Sequence, residues 1–176
     1  DSANACVFVR AEDVGLTGIE MPEALDADAA MMAKLGAIRI AASVAMGIAQ
    51  NAQEAAKKTT VPFVGFVSAP QEAKALSGET LRATDVDLTA RMLSNGQTHR
   101  ALPLTASLCM AVAARLEGSV VNRLVRATGD ANSPLRIGMP SGVLVVAATV
   151  KQIDGKWVAE QGAFYRTARR LFDGAV

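Results

Sequence analysis

Few side chains in this sequence can do chemistry, and they fall in three places. The single histidine, His99, is followed by Arg100, and shortly after comes Thr105-Ala106-Ser107. An imidazole titrates near neutrality and can act as a general base, or it can be a polar residue at a loop edge. A helix starting at Thr105–Ser107 would present unpaired N–H groups and the positive end of its dipole, a setting that holds a carboxylate. The Thr and Ser hydroxyls would add donors, and His99 and Arg100 are close enough in sequence to join them. Ordinary capping by Thr105 or Ser107, with no ligand, accounts for the same residues. Ser141, inside Gly138-Met139-Pro140-Ser141-Gly142, is either a second carboxylate donor held between rigid turn residues or part of a plain turn. Arg166, Arg169 and Arg170 would bind anions or solvate a surface. Phosphate-binding glycine loops, metal-ligand clusters and dinucleotide fingerprints are missing from the sequence. The residues by themselves describe an anion-binding domain without a reaction.

The elements that must position these groups are partly readable. Ala5-Cys6-Val7-Phe8-Val9 reads as a strand, and so does Pro62 to Ala69. Between them, Met31, Leu35, Ile38, Ala42, Ala45 and Ile48 recur at spacings of three and four. That predicts a helix over 28–56, capped by Asp26 or Asp28, with a break possible near Gly47. Residues 71–83 read as a loop or irregular hairpin. Thr84 is expected to cap a second helix carrying Leu88, Met92 and Leu93, stopped at Asn95-Gly96. From Leu108 to Ala114 every residue is apolar. A helix apolar on all sides must be buried on all sides, so this one should run through the middle of the domain. Strand-like runs follow at Ile137, Val143–Val150 and Trp157–Glu160, with Asp154-Gly155 as a hairpin turn. By pattern alone, residues 162–176 fit either an amphipathic helix or a last strand.

Composition sets the bounds. The 176 residues are 51% hydrophobic and 20% charged, which suits one domain with a real core and excludes a disordered tail. Lys and Arg number 18 against 17 Asp and Glu, so the basic surplus of a dedicated nucleic-acid binder is missing. The apolar runs are too short for a membrane-spanning helix. The chain starts at Asp1 with no signal-peptide pattern, and is expected to be cytoplasmic and to be a fragment or processed chain. Cys6 and Cys109 both sit in apolar stretches and read as buried reduced thiols.

Four blocks of residues, in order along the chain, resemble the PrpF family. They are Asn4-Ala5-Cys6-Val7-Phe8-Val9-Arg10-Ala11 with Asp13-Val14-Gly15-Leu16-Thr17-Gly18; Gln97-Thr98-His99-Arg100-Ala101-Leu102-Pro103-Leu104-Thr105; Ile137-Gly138-Met139-Pro140-Ser141-Gly142-Val143; and Tyr165-Arg166-Thr167-Ala168-Arg169-Arg170-Leu171-Phe172-Asp173-Gly174. The resemblance implies an α+β, diaminopimelate-epimerase-like domain: a curved, mostly antiparallel sheet wrapped around a buried central helix. It further implies that residues 1–176 are the C-terminal domain of a two-domain isomerase, with the active site in the cleft between domains. Residues Ala163 to Phe172 would then be a closing strand.

The family's activity is cofactor-independent isomerisation of unsaturated tricarboxylates by proton abstraction and return. Foremost is 2-methylaconitate cis-trans isomerisation in the methylcitrate cycle of propionate breakdown, beside an iron-sulfur dehydratase. Relatives act on trans-aconitate, methylitaconate or oxalomesaconate, and a non-catalytic anion-binding remnant of the fold is the rival reading. The family's catalytic Lys and Cys lie in the N-terminal domain. This chain is therefore expected to carry no catalytic residue and no metal. It should bind the substrate through His99, Arg100, Thr105, Ala106, Ser107 and Ser141, and be inactive alone. Three positions depart from the family pattern: Ala5 stands where it has Pro, Ala106 where it has Gly, and Met139 where it has His. Cys109, one turn into the helix, is expected to pack in the core.

Overall fold

The computed structural model describes residues 1–127, 133–165 and 174. Strand β1 (Cys6–Arg10) forms where the apolar run places it and pairs in parallel with β2 (Phe63–Ser68). Three helices intervene: α1 (Pro22–Ala27), α2 (Ala29–Ala45) and α3 (Ala52–Lys57). The expected single helix over 28–56 is thus two. The chain turns at Gly47, which takes φ +70°, a conformation costly for residues with a Cβ. Asn51 then caps α3 by accepting from the Glu54 amide. Asp28 caps α2 through the Met31 amide, whereas Asp26 accepts from the amide of Thr98.

Residues 71–83 contain the short hairpin β3 (Ala73–Lys74) and β4 (Thr80–Leu81). The helix expected from Thr84 is instead one 3-10 turn followed by strand β5 (Leu88–Ser94). Every residue from Leu88 to Leu93 is buried. A strand covered on both faces loses the inside–outside alternation that marks a half-exposed one, so its spacing can mimic a helix. Asn95 and Gly96 take φ of +50° and +73° and turn β5 back into β6 (Gln97–Thr98). The remaining elements are α4 (Leu104–Ala113), α5 (Val120–Leu124), β7 (Leu135–Met139), β8 (Gly142–Ile153) and β9 (Lys156–Tyr165). Asp154 and Gly155 make the β8–β9 turn as expected. Arg166, Arg169 and Arg170, and the closing strand beyond Tyr165, lie outside the described residues.

The main sheet has the order β1-β2-β5-β7-β8-β9, with β6 added on β5. The β1/β2 and β5/β7 pairs are parallel; β2/β5, β5/β6, β7/β8 and β8/β9 are antiparallel. One core cluster joins Val67 of β2, Leu88, Ala90 and Met92 of β5, Ile137 of β7, and Leu144, Val146 and Ala148 of β8 to Ala106, Met110, Ala111 and Ala113 of α4. Strands spread across the sheet reach the same helix, so the sheet curls around it. This is the α+β arrangement expected, but α4 is not buried on all sides: Leu104, Leu108 and Val112 stay partly exposed, because the curled sheet covers only part of the helix surface. On the other face, Val64, Phe66 and Leu93 pack with Leu25 of α1 and Leu35 of α2.

Two buried charges fasten this frame. Asp87, its side chain 1% exposed, accepts from Nε (3.1 Å), Nη2 (2.6 Å) and the backbone amide (2.9 Å) of Arg136. The bond sits at the ends of β5 and β7, where the two strands pair. Arg91 on β5 is also buried and donates through Nε to the Glu20 carbonyl at 2.7 Å. Burial drives its pKa down to about 10, against the opposing charge of Glu20. The Glu20 carboxylate in turn accepts from the Thr17 amide and hydroxyl and the Gly18 amide. Among the described residues, no helix is long and apolar enough to cross a membrane.

Candidate carboxylate-binding site

Helix α4 begins without a side-chain cap. Pro103 is its N-cap residue, accepts from the Ser107 amide, and has no hydroxyl or carboxylate to turn inward. The first helical amides, those of Leu104, Thr105 and Ala106, have no carbonyl one turn back to receive them. Thr105 and Ser107 therefore do not cap the helix, contrary to one sequence expectation. The Thr105 hydroxyl accepts from Asn4 Nδ2 at 3.1 Å and is exposed. That leaves its own proton free to be donated. Ser107 is fully buried and its hydroxyl donates to the Leu104 carbonyl at 2.7 Å. With its amide also bonded to Pro103, it shapes the first turn instead of facing outward.

Two other segments converge on this helix start. Asn4, just ahead of β1, is tied to it by the bond to Thr105. Met139, at the end of β7, accepts from the Leu102 amide through Sδ at 3.2 Å, two residues before the helix. Ser141 follows Met139 by two residues and is exposed. The Pro140 carbonyl accepts from the Leu76 amide, so the turn is braced by the loop after β3. Asn4, Leu102, Thr105 and Met139, far apart in sequence, are thus drawn to one helix terminus.

His99 and Arg100 are placed differently. The His99 ring stacks on Phe63, with centroids 5.9 Å apart, and its Nε2 lies 2.6 Å from Ser94 Oγ. Its amide donates to the Met92 carbonyl, extending the β5–β6 hairpin. Burial lowers the pKa of the imidazole, favouring the neutral ring. These contacts make His99 an anchor for the segment leading into α4. Arg100 is exposed and ion-paired with Glu23 of α1 at 2.7 Å. The residues that sequence reasoning passed over are Asn4 and Met139. Both sat inside quoted motif blocks, but nothing in a linear pattern says that the blocks meet. A separate cavity of about 340 Å³ is walled by Arg10, Thr17, Ser68 and Gln71 among others, and none of the candidate residues borders it. The described residues include no group of His, Cys, Asp and Glu able to hold a metal ion.

A mixed sheet curled around one apolar helix, with motif loops gathered at that helix's N-terminus, is an architecture seen before. The crystal structure of methylitaconate-delta-isomerase matches with a TM-score of 0.83 and 35% identity, over 94% of this chain and 45% of that one. The sequence makes the relationship specific: residues 1–176 match the family model described as PrpF protein, and the chain belongs to that family. It is 40% identical to the 3-methylitaconate isomerase of Eubacterium barkeri, over all of this chain and 46% of the relative. It is 37% identical to the 2-methyl-aconitate isomerase of Shewanella oneidensis, over 97% of this chain and 42% of the relative. A 4-oxalomesaconate tautomerase of Pseudomonas putida is 30% identical over the whole chain and 43% of its own length. The chain spans less than half the length of these relatives.

Proposed function

We propose that this chain is the carboxylate-binding half of a cofactor-independent isomerase of unsaturated tricarboxylates, with 2-methylaconitate as the first-choice substrate. The observation that carries the reading is the uncapped start of α4, joined by Asn4 and Met139. A proton removed next to a carboxylate leaves charge that spreads onto that carboxylate. Free helix amides and a positive dipole end stabilise such charge where it develops. Hydroxyls are suited to complete the site because they donate without adding a competing charge. In this reading Thr105 and Ala106 supply backbone donors, Thr105 and Ser141 supply hydroxyls and Ser107 holds the turn, while Arg100 stays paired with Glu23. His99 acts through the packing of the segment that precedes the helix. The proton-transferring Lys and Cys belong to an N-terminal domain, by resemblance to the family. An iron-sulfur dehydratase of the methylcitrate cycle would work on the same metabolite.

The test is titration of trans-aconitate, with turnover of 2-methylaconitate measured alongside, in the full-length protein carrying Thr105→Val or Ser141→Ala. A charge-assisted hydrogen bond contributes roughly 1.5–3 kcal/mol, so each variant is expected to bind about ten- to a hundred-fold more weakly. Unchanged affinity and turnover in a folded variant would leave these residues as turn and helix-start residues only. The 176-residue chain alone is expected to bind but not to turn over; isomerisation by it at the rate of a full-length relative would refute the division of labour. The 40% identity to a 3-methylitaconate isomerase favours methylitaconate as the second reading. Comparing kcat/KM for the two substrates separates them, since the better substrate is the one whose transition state is bound more tightly.

A further inference from the structure

Cys6 and Cys109, far apart in sequence, come together between β1 and α4. The same two elements are already tied by the bond from Asn4 to Thr105. Cys6 lies two residues beyond Asn4 and Cys109 four beyond Thr105. The step from Thr105 to Cys109 keeps those two side chains on one face of the helix. The thiols are therefore a second rung beside the first. Both line a cavity of about 270 Å³ whose other walls include Phe8, Val112 and Trp157, with Asp1 and Ser2 at its edge. Trp157 is 45% exposed and Asp1 is exposed, so the cavity reaches the surface. The two thiols border the same cavity and influence each other's ionisation. The neighbouring Cys6 thiol lowers the pKa of Cys109 against the effect of burial. The neighbouring Cys109, together with burial, raises the pKa of Cys6.

We propose that Cys6 and Cys109 form a reactive dithiol site, in which a hydroperoxide oxidises Cys109 and Cys6 resolves the product to an intramolecular disulfide. The Cys109 thiolate attacks one peroxide oxygen. An S–O bond forms, the O–O bond breaks, and the leaving oxygen takes up a proton. Cys6 sulfur then attacks the sulfenic sulfur, the S–S bond forms, and water leaves with the Cys6 proton. The two thiols lose two electrons and the peroxide gains them. A thiol and a more acidic neighbour in one accessible cavity is the arrangement such chemistry requires. The bond would add a covalent rung next to the contact that holds the start of α4.

The test uses the intact protein, kept folded at neutral pH. Iodoacetamide is expected to label Cys109 at least about ten-fold faster than Cys6, because the thiolate is the reactive form. Stoichiometric hydrogen peroxide is expected to give a Cys6–Cys109 linked peptide by mass spectrometry, reversed by dithiothreitol. In Cys6→Ser, and in Cys6→Ala as a second variant, oxidation should stop at a sulfenic acid on Cys109 that dimedone traps. Labelling of either thiol only in urea, or crosslinks only between molecules, would overturn the proposal.

Discussion

Replacing Arg136 with leucine is expected to destabilise the protein by about 1–3 kcal/mol at neutral pH: it strips a buried carboxylate of its charged partner, but the Arg136 side chain is 41% exposed and solvent screens part of the loss. Asp87 would stay behind with the amide of residue 136 as its remaining donor from that strand. In the native protein, burial works against ionisation of Asp87, but the guanidinium and amide of Arg136 outweigh it and hold the carboxyl below its ordinary range. A carboxylate whose folded-state pKa is depressed contributes stability above its unfolded pKa, about 3.9, and loses it as the pH falls through the folded value. The native protein should therefore weaken below about pH 4 through this group. In Arg136→Leu burial dominates, the folded pKa rises above the unfolded one, and the sign reverses. That variant should be less stable at pH 7 than at pH 5. Urea unfolding at both pH values checks the size and the direction together. A loss under about 1 kcal/mol, in the range of a surface pair, would mean that Asp87 finds other donors.

Met110→Ala is the second large effect, expected to cost about 2–5 kcal/mol by removing a buried side chain and leaving a cavity. Met110 is fully buried on α4, among Met92, Ile137 and Val146 of three strands. Its side chain is a turn away from the amides proposed to bind carboxylate, so trans-aconitate affinity in the full-length protein should be unchanged while the variant stays folded. Thermal or urea unfolding, with a titration below the transition, makes the comparison. A variant that lost affinity in proportion to stability would show that the helix start depends on core packing beneath it.

The sequence was most legible where local chemistry and long-range packing agree. Leu108 to Ala114 has no polar side chain, so a buried helix was the one arrangement available. Cys6–Arg10 and Asp154-Gly155 were equally plain. Strand β5 was misread because burial on both faces removed its alternation, and Asn95-Gly96 serves a hairpin as readily as a helix end. Among the candidate site residues, Thr105 and Ser141 stand out by residue type, and the helix start by its position. What a linear reading lacked was the direction of each side chain. Ser107 looks like a donor but turns back to Leu104, and His99 looks like a base but is held between Phe63 and Ser94. Asn4 drew no attention as chemistry, although it touches the Thr105 hydroxyl. Such contacts are set by the curl of the sheet, which no spacing rule encodes.

The place of α4 in the strand order also bears on how the chain must fold. The helix is enclosed by β2 and β5, which precede it, and by β7 and β8, which follow it. A nascent chain that has emerged only as far as α5 has nothing to lay over the helix side that Leu144, Val146 and Ala148 later cover. Its core cannot close until β8 is synthesised. The β5/β7 pairing, made in parallel around the helix, is likewise non-local. Both features place this domain among those that acquire their structure late, after much of the polypeptide is present, with an apolar helix needing protection in the interval.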